Sequence, residues 1–313
     1  MADAYTQVSS LDSVQAAYDR LAYFALRPEM YFDMMADIKP TKQSMPGSSV
    51  KFTTYVEMAE ATTALSETVD VDAVALDDGQ TTVTLVEQGN AVLTTAKLRG
   101  TSFNNVDADA ANLIGYNAGI SLDTLARTPL VAGTNVLYGG SASSRVTVAA
   151  ASVITASNVR KAYARLVGAN VQGWDGYFKA VIHPDVSYDL KSETGAASWN
   201  EPHAYAMPGN IWNGQVGSFS GFDFMESPRA KIFVDAGVGG TVDVYASLFM
   251  GKQCLAKAFS SAVSAEQPQT VRGAVVDKLA RFQPIGWYWL GGYARFREAS
   301  IQRYETSSSI GTN

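Results

Sequence analysis

Between Pro46 and Leu98 the chain carries the two-residue period of β-strands, with no helical stretch beside it to cover either face. Val50, Phe52, Thr54, Val56 and Met58 alternate with Lys51, Thr53, Tyr55 and Glu57, giving one strand two unlike faces. Residues 65–74 alternate again, with the carboxylates of Asp70 and Asp72 facing away from Val69 and Val71. Asp77-Asp78-Gly79 predicts a turn, and Thr81-Thr82-Val83-Thr84-Leu85-Val86-Glu87 a returning strand. A lone two-stranded ribbon is marginal in water. It must lie over its own domain or be covered by another copy, and either answer constrains the rest.

Charged residues make up only 17% of the 313 and hydrophobic ones 47%, leaving a neutral surface suited to a subunit that buries several faces against copies of itself. The net charge of −6 weighs against a protein built to grip nucleic acid, though not against lying near DNA. Cys254 is the lone cysteine, so no intrachain disulfide forms, and it reads as a small buried hydrophobe. The first residues lack a secretion-signal pattern, and no apolar run approaches the roughly 18 residues of a membrane span. A soluble protein, intracellular at birth and without a membrane partner, is expected.

Residues 10–27 predict a helix ended by Pro28, followed by an apolar cluster, Met30-Tyr31-Phe32-Asp33-Met34-Met35, suited to packing against a neighbouring chain. A long helix is expected from Asn105 to Arg127, stopped by Pro129. Val106, Ala110, Leu113, Asn117 and Ile120 share one stripe, with Ile114, Ala118, Leu122 and Leu125 beside it. Gly115 and Gly119 would admit close approach of another element. Residues 133–151 read as loop with a strand at 145–148, and a helix from Thr155 stops at Gly168. Ala180-Val181-Ile182 is a strand running into a helix whose first turn Pro184 fits, with Asp185 at the positive end of its dipole. After a loop over 195–213, a glycine-punctuated turn from Asn213 feeds a strand ending before Pro228. Strands follow at 231–234, 241–250, 271–277 and, apolar on both faces, 282–296; residues 306–313 are expected to fray. The fold class is α+β.

Constellations that carry chemistry are missing. His183 and His203 have no second ligand at metal spacing. Asp107, Asp109 and Asn112 begin like a calcium loop but lack its glycine and closing glutamate, and read as charge in a helix's first turn. In Gly217-Ser218-Phe219-Ser220-Gly221 the place of a nucleophile is taken by Phe219. Asp223 and Glu226 fall on opposite faces of a strand, and Gly237-Val238-Gly239-Gly240 lacks the lysine of a phosphate loop. Arg281, Arg295, Arg297 and Arg303 are interleaved with aromatics, as in single-strand binders, but Glu298 and Glu305 intervene. No cofactor, metal or catalytic set is expected, and the chain reads as no enzyme.

The order of features resembles that of tailed-phage major capsid proteins of the Hong Kong ninety-seven fold, and more closely the subgroup named for the coat protein of phage N-four. The features are Gly47-Ser48-Ser49-Val50-Lys51-Phe52; Leu65-Ser66-Glu67; Thr81 through Gly89; the helix after Asn105; Ile182-His183-Pro184-Asp185; Gly214-Gln215-Val216-Gly217 through Gly221-Phe222 to Ser227-Pro228; and Gly292-Tyr293-Ala294-Arg295-Phe296. The resemblance implies an N-terminal arm (1–45), an extended β-loop (46–98), a peripheral domain (99–150) with its spine helix (about 105–127), an axial domain (151–270), and C-terminal strands returning to the body (271–313). It implies a coat protein assembled in the bacterial cytoplasm into hexamers and pentamers of an icosahedral virion shell, enclosing double-stranded DNA that it contacts without sequence preference. A separate scaffolding protein, a portal and a decoration protein are the further partners it suggests. Intersubunit contacts are expected at Val50, Phe52, Val56, Val83 and Leu85 of the ribbon, Tyr31 and Phe32 of the arm, and Gly217 and Phe219. On that expectation an acidic residue at Phe52 or Val83 blocks assembly and leaves the monomer folded. Competing readings are a decoration or tail structural protein, or a polysaccharide-acting enzyme using Asp77, Asp78, Glu87 or Glu226.

Overall fold

The computed structural model describes residues 31–41, 47–101 apart from 56, 63, 66, 69, 71 and 72, and then 106–194, 217–261, 265–273, 277–279 and 281–311. The helix expected over 10–27 and the loop over 195–213 lie outside them. Strand β1 (Ala36–Thr41) leads to the ribbon strands β2 (Ser49–Tyr55) and β3 (Asp78–Thr84), then β4 (Val86–Thr95). A short helix α1 (Ala96–Thr101) precedes the long helix α2 (Val106–Val131), and β5 (Val136–Tyr138), α3 (Ala156–Gly168), β6 (Phe178–Ile182) and α4 (Pro184–Ser192) follow. The later elements are β7 (Ser218–Phe219), β8 (Phe222–Glu226), β9 (Ile232–Phe233), β10 (Val244–Met250), β11 (Leu255–Ser260), β12 (Gln269–Arg272), β13 (Phe282–Arg295) and β14 (Ile301–Thr306).

β13 is the hub of a five-stranded sheet. It pairs antiparallel with β4, β11 and β12, and β1 joins β11 in parallel. Because strand side chains alternate, Ile285, Trp287 and Trp289 share one face, where they pack on Ile114, Ala118 and Leu122 of α2. The other face carries Ala256, Ala258 and Ala294 against the β2–β3 ribbon. The sheet therefore lies between the long helix and the ribbon. A second, seven-stranded sheet runs β5-β14-β10-β6-β8-β7 with β9 on β10, and α3 and α4 bury Val159, Leu166, Val186 and Leu190 against its Phe222, Tyr245 and Phe249. Phe32, Leu130, Leu248 and Ile301 belong to the core that joins the two halves.

Several sequence expectations give way here. α2 continues through Pro129, and Ala132 N donates to Thr128 O at 3.0 Å beyond it. A proline near a helix end forfeits one backbone bond without stopping the last turn. The buried stripe of α2 is Ile114, Ala118, Leu122, Ala126 and Leu130, while Leu113 is 64% exposed. Asp78 and Gly79 are not a turn but the start of β3, paired with Tyr55 and Thr54. The described residues of 65–74 form no strand. Residues 145–147 make a 3-10 turn in place of a strand. The end is not frayed at Thr306: residues 306–308 are buried, and Ser309 N donates to Asp189 Oδ2 at 3.0 Å.

Candidate assembly surface

The ribbon has a buried base and an exposed outer end. Burial alternates along both strands, so Val50, Phe52, Thr81 and Val83 face inward while Lys51, Thr53, Tyr55 and Thr82 face out. Phe52 and Val83 are at most 1% exposed, and the Phe52 ring meets Phe296 edge-on at 5.4 Å. Polar bonds fix the same base: Leu85 N donates to Ser48 O at 2.8 Å, and Thr81 Oγ1 to Phe296 O at 3.2 Å. Gly292 permits the approach, because a Cβ there would stand 2.1 Å from the Thr84 carbonyl oxygen. Gly292→Ala is expected to lift β3 from the sheet and cost about 1–3 kcal/mol, measured by chemical denaturation; unchanged stability would mean the ribbon does not rest on β13. Beyond Tyr55 the picture inverts. Every described residue from 57 to 78 is exposed, including Met58, Leu65, Val74 and Leu76 at 59–76%.

The expected contact residues therefore divide. Phe52, Val83, Phe32 and Phe219 are covered by their own chain, each 6% exposed or less, and have no surface to offer a neighbour. The physical reason is that the small residues of β11 and β13 leave the ribbon a seat on its own sheet. Val50, Leu85 and Tyr31 are partly buried against the same cores. Gly217 is half-buried, holds φ at 71°, and its carbonyl accepts Phe224 N at 3.1 Å. Val56 lies outside the described residues.

Residues that sequence reading passed over hold Tyr31 and Phe32 in place. The fully buried Asp123 of α2 accepts Tyr31 N at 3.2 Å and Phe32 N at 3.4 Å, and its other oxygen takes Arg229 Nε at 2.7 Å. Arg229 also bonds Ile120 O and Thr124 Oγ1, so one guanidinium ties the segment after β8 to the helix. A signal existed, since Asp123 is the single charge between Asp109 and Arg127 and adjoins the apolar stripe.

The tempting catalytic groups are occupied structurally. His183 caps α4, its Nδ1 accepting Asp185 N at 3.3 Å, and burial holds its pKa below the usual value despite Asp185. Asp223 pairs with Lys179 across the β6–β8 ladder, whereas Glu226 is held by Lys191 and Ser187 of α4. Glu87 accepts Tyr288 Oη at 3.2 Å, and Asp77 and Asp78 stand exposed on the ribbon. His203 lies outside the described residues. Burial pushes the Cys254 thiol up to about 12. Among the described residues no group of three metal-ligating side chains converges, and no helix is long and apolar enough to cross a membrane.

The profile of a family described as phage capsid protein matches residues 7–310. Solved structures share the fold at low identity. The capsid of Ralstonia phage GP4 superposes with a TM-score of 0.72 at 15% identity, covering 98% of this chain and 95% of that one. The capsid of cyanophage P-SCSP1u gives 0.66 at 12% identity, covering 90% and 89%. The capsid of cyanophage Pam1 gives 0.63 at 14% identity, covering 99% and 97%. No curated protein sequence matches the chain.

Proposed function

The chain belongs to the phage capsid protein family and is a major capsid protein of a phage head, and we propose that it tiles that head by laying the exposed outer end of its ribbon over an adjacent copy. The observation that carries this is the contrast within the ribbon. Its base is buried on its own sheet, while every described residue from 57 to 78 is exposed, large apolar side chains among them. Exposed apolar surface of this kind marks a contact site. Self-assembly into a closed shell supplies a neighbour at every position.

In this reading the shell is icosahedral, built of hexamers and pentamers, assembled in the bacterial cytoplasm around double-stranded DNA, with a separate scaffolding protein, a portal and a decoration protein as partners. The segment to residue 45 is the arm, α2 the spine helix of the peripheral domain, and the seven-stranded sheet the body of the axial domain. The order of features from Gly47 to Phe296 supports placement in the subgroup of the phage N-four coat protein. The role is structural, not catalytic. The intersubunit surface moves from Phe52 and Val83 to Tyr55, Met58, Leu65, Val74 and Leu76 at the ribbon's outer end, with Val50 and Leu85 at its margin.

Val74 and Leu76 are 69% and 67% exposed, so replacing both by Asp should change subunit stability by no more than about 0.5 kcal/mol. Particles should nevertheless be lost, read by light scattering and negative-stain microscopy. Normal shells from this double variant would refute the role given to the tip.

A further inference from the structure

Where α2 ends against the seven-stranded sheet, Arg127, Arg145, Lys231 and Arg303 line a cavity of about 550 Å3, with Thr128 and Phe233 also in its walls. Four cations meet there in a chain whose net charge is −6. Among the described residues one carboxylate forms ion pairs with them, and Asp123 acts on Arg127 from farther away. Buried Glu305 accepts Arg145 Nε at 2.9 Å and Nη2 at 2.7 Å, and stands 2.8 Å from Arg303 Nε. The Arg303 side chain is 8% exposed, yet its Nε is aligned with no acceptor among the described residues. Lys231 makes no ion pair among the described residues. Its ammonium rests over Phe233, which the Arg145 guanidinium also covers at 3.4 Å from the ring centroid. Arg127 uses an N–H on the Arg229 carbonyl, and burial together with the Arg229 charge pushes its pKa down against the opposing pull of Asp123. These are the marks of a cavity short of negative charge.

We propose that this cavity is a phosphate site, filled by the phosphodiester backbone of DNA or by free phosphate. Guanidinium forks present paired N–H groups that match a tetrahedral oxyanion. A multiply charged ligand would relieve the mutual repulsion of cations held out of water. The volume lies in the range of ligand pockets and admits a phosphate with its flanking sugars. Cations that contact phosphate alone carry no base information, so binding is independent of sequence. Only the source, the enclosed DNA, rests on the coat-protein reading.

The test titrates the purified subunit with pyrophosphate and, separately, with a short DNA duplex. Wild type is compared with Lys231→Met, which keeps the aliphatic stem over Phe233, and with Lys51→Met on the open face of the ribbon. Pyrophosphate affinity should fall about tenfold in Lys231→Met and stay unchanged in Lys51→Met. If DNA is the source, the duplex shows the same loss and its salt slope drops by about 1. Loss for pyrophosphate alone assigns the site to free phosphate. Absence of pyrophosphate binding by wild type, or equal loss in Lys51→Met, overturns the proposal. So does loss of shells in Lys231→Met with anion affinity unchanged, which would give the cavity to a neighbouring copy's carboxylates; residues 57–78 hold seven and no Lys or Arg. Normal shells with unchanged phosphate affinity refute the site and leave the coat reading standing, whereas wild type that never forms shells refutes that reading alone.

Discussion

Val83→Asp is expected to remove the folded subunit before it reaches any shell, with a loss of about 4–5 kcal/mol by chemical denaturation. Val83 has no exposed surface, and its neighbours Phe52, Ala256 and Ala258 offer a carboxylate no donor side chain. An unpaired charge there must be desolvated, or protonated at the cost of a raised pKa. The sign follows from linkage. A carboxyl whose folded pKa lies above its unfolded value destabilises most at high pH, so the deficit should narrow as pH falls toward about 4. A domain holds only about 5–15 kcal/mol in all, so most of the chain should be unfolded or aggregated at neutral pH. The sequence alone leads to the opposite expectation, a folded monomer blocked in assembly. A stable, monodisperse Val83→Asp subunit would restore it, and would mean that the ribbon leaves its own sheet in solution.

What the ribbon teaches concerns which information a single chain carries. Alternation at Val50–Tyr55 and Thr81–Thr84 correctly marks strands with unlike faces, because period two is a local property of backbone geometry, whereas the strand expected to run on through Glu87 breaks at Leu85, beyond which β4 pairs with β13. Whether the apolar face meets its own domain depends on what lies opposite, and the seat consists of Ala256, Ala258, Ala294 and Gly292, small residues that announce no core. Pro184, Thr155 and Gly168 were legible for the same local reason: each acts at a helix end, and α3 and α4 begin or stop there. β14 was not. It is buried along its whole length, yet it reads Ile-Gln-Arg-Tyr-Glu-Thr, which composition assigns to the surface. Its burial is tolerable because its polar groups find partners: Arg145, 160 residues away, donates to Glu305, Arg303 stands beside the same carboxylate, and Gln302 donates to Asn135 O. The contact surface suffered most. Large apolar residues flag burial and docking alike, and nothing in sequence spacing separates Phe52, covered at home, from Val74, left open.

Asp33→Asn should cost about 3–5 kcal/mol through the charge it strands. Lys257 has no solvent exposure, and its Nζ lies 2.7 Å from Asp33 Oδ1 and 2.8 Å from Oδ2. Tyr293 Oη donates to the same carboxylate at 2.6 Å. Asp33 precedes β1, so this trio pins the entering segment onto β11 and β13. Replacing Asp33 alone leaves an ammonium buried near Trp289 and Tyr293, with ring centroids 5.9 and 5.7 Å away as partial compensation. Adding Lys257→Met removes that charge and fills the same volume, so the double variant should recover most of the loss. The recovery, not the first loss, identifies a desolvation effect, because a merely local disruption would add to itself. Alkaline titration gives a second reading. Burial foremost, and then the Asp33 charge, raise the Tyr293 pKa well above 10. The neutral phenol's contribution is therefore complete below about pH 10 and is lost as pH climbs toward the folded-state value. With Asp33 neutralised the Tyr293 pKa is raised less, so the variant should show a shallower fall in stability above pH 10 than wild type. Equal stability of wild type and Asp33→Asn would place residues 31–41 off the sheet in the free subunit, and would make their docking an event of assembly.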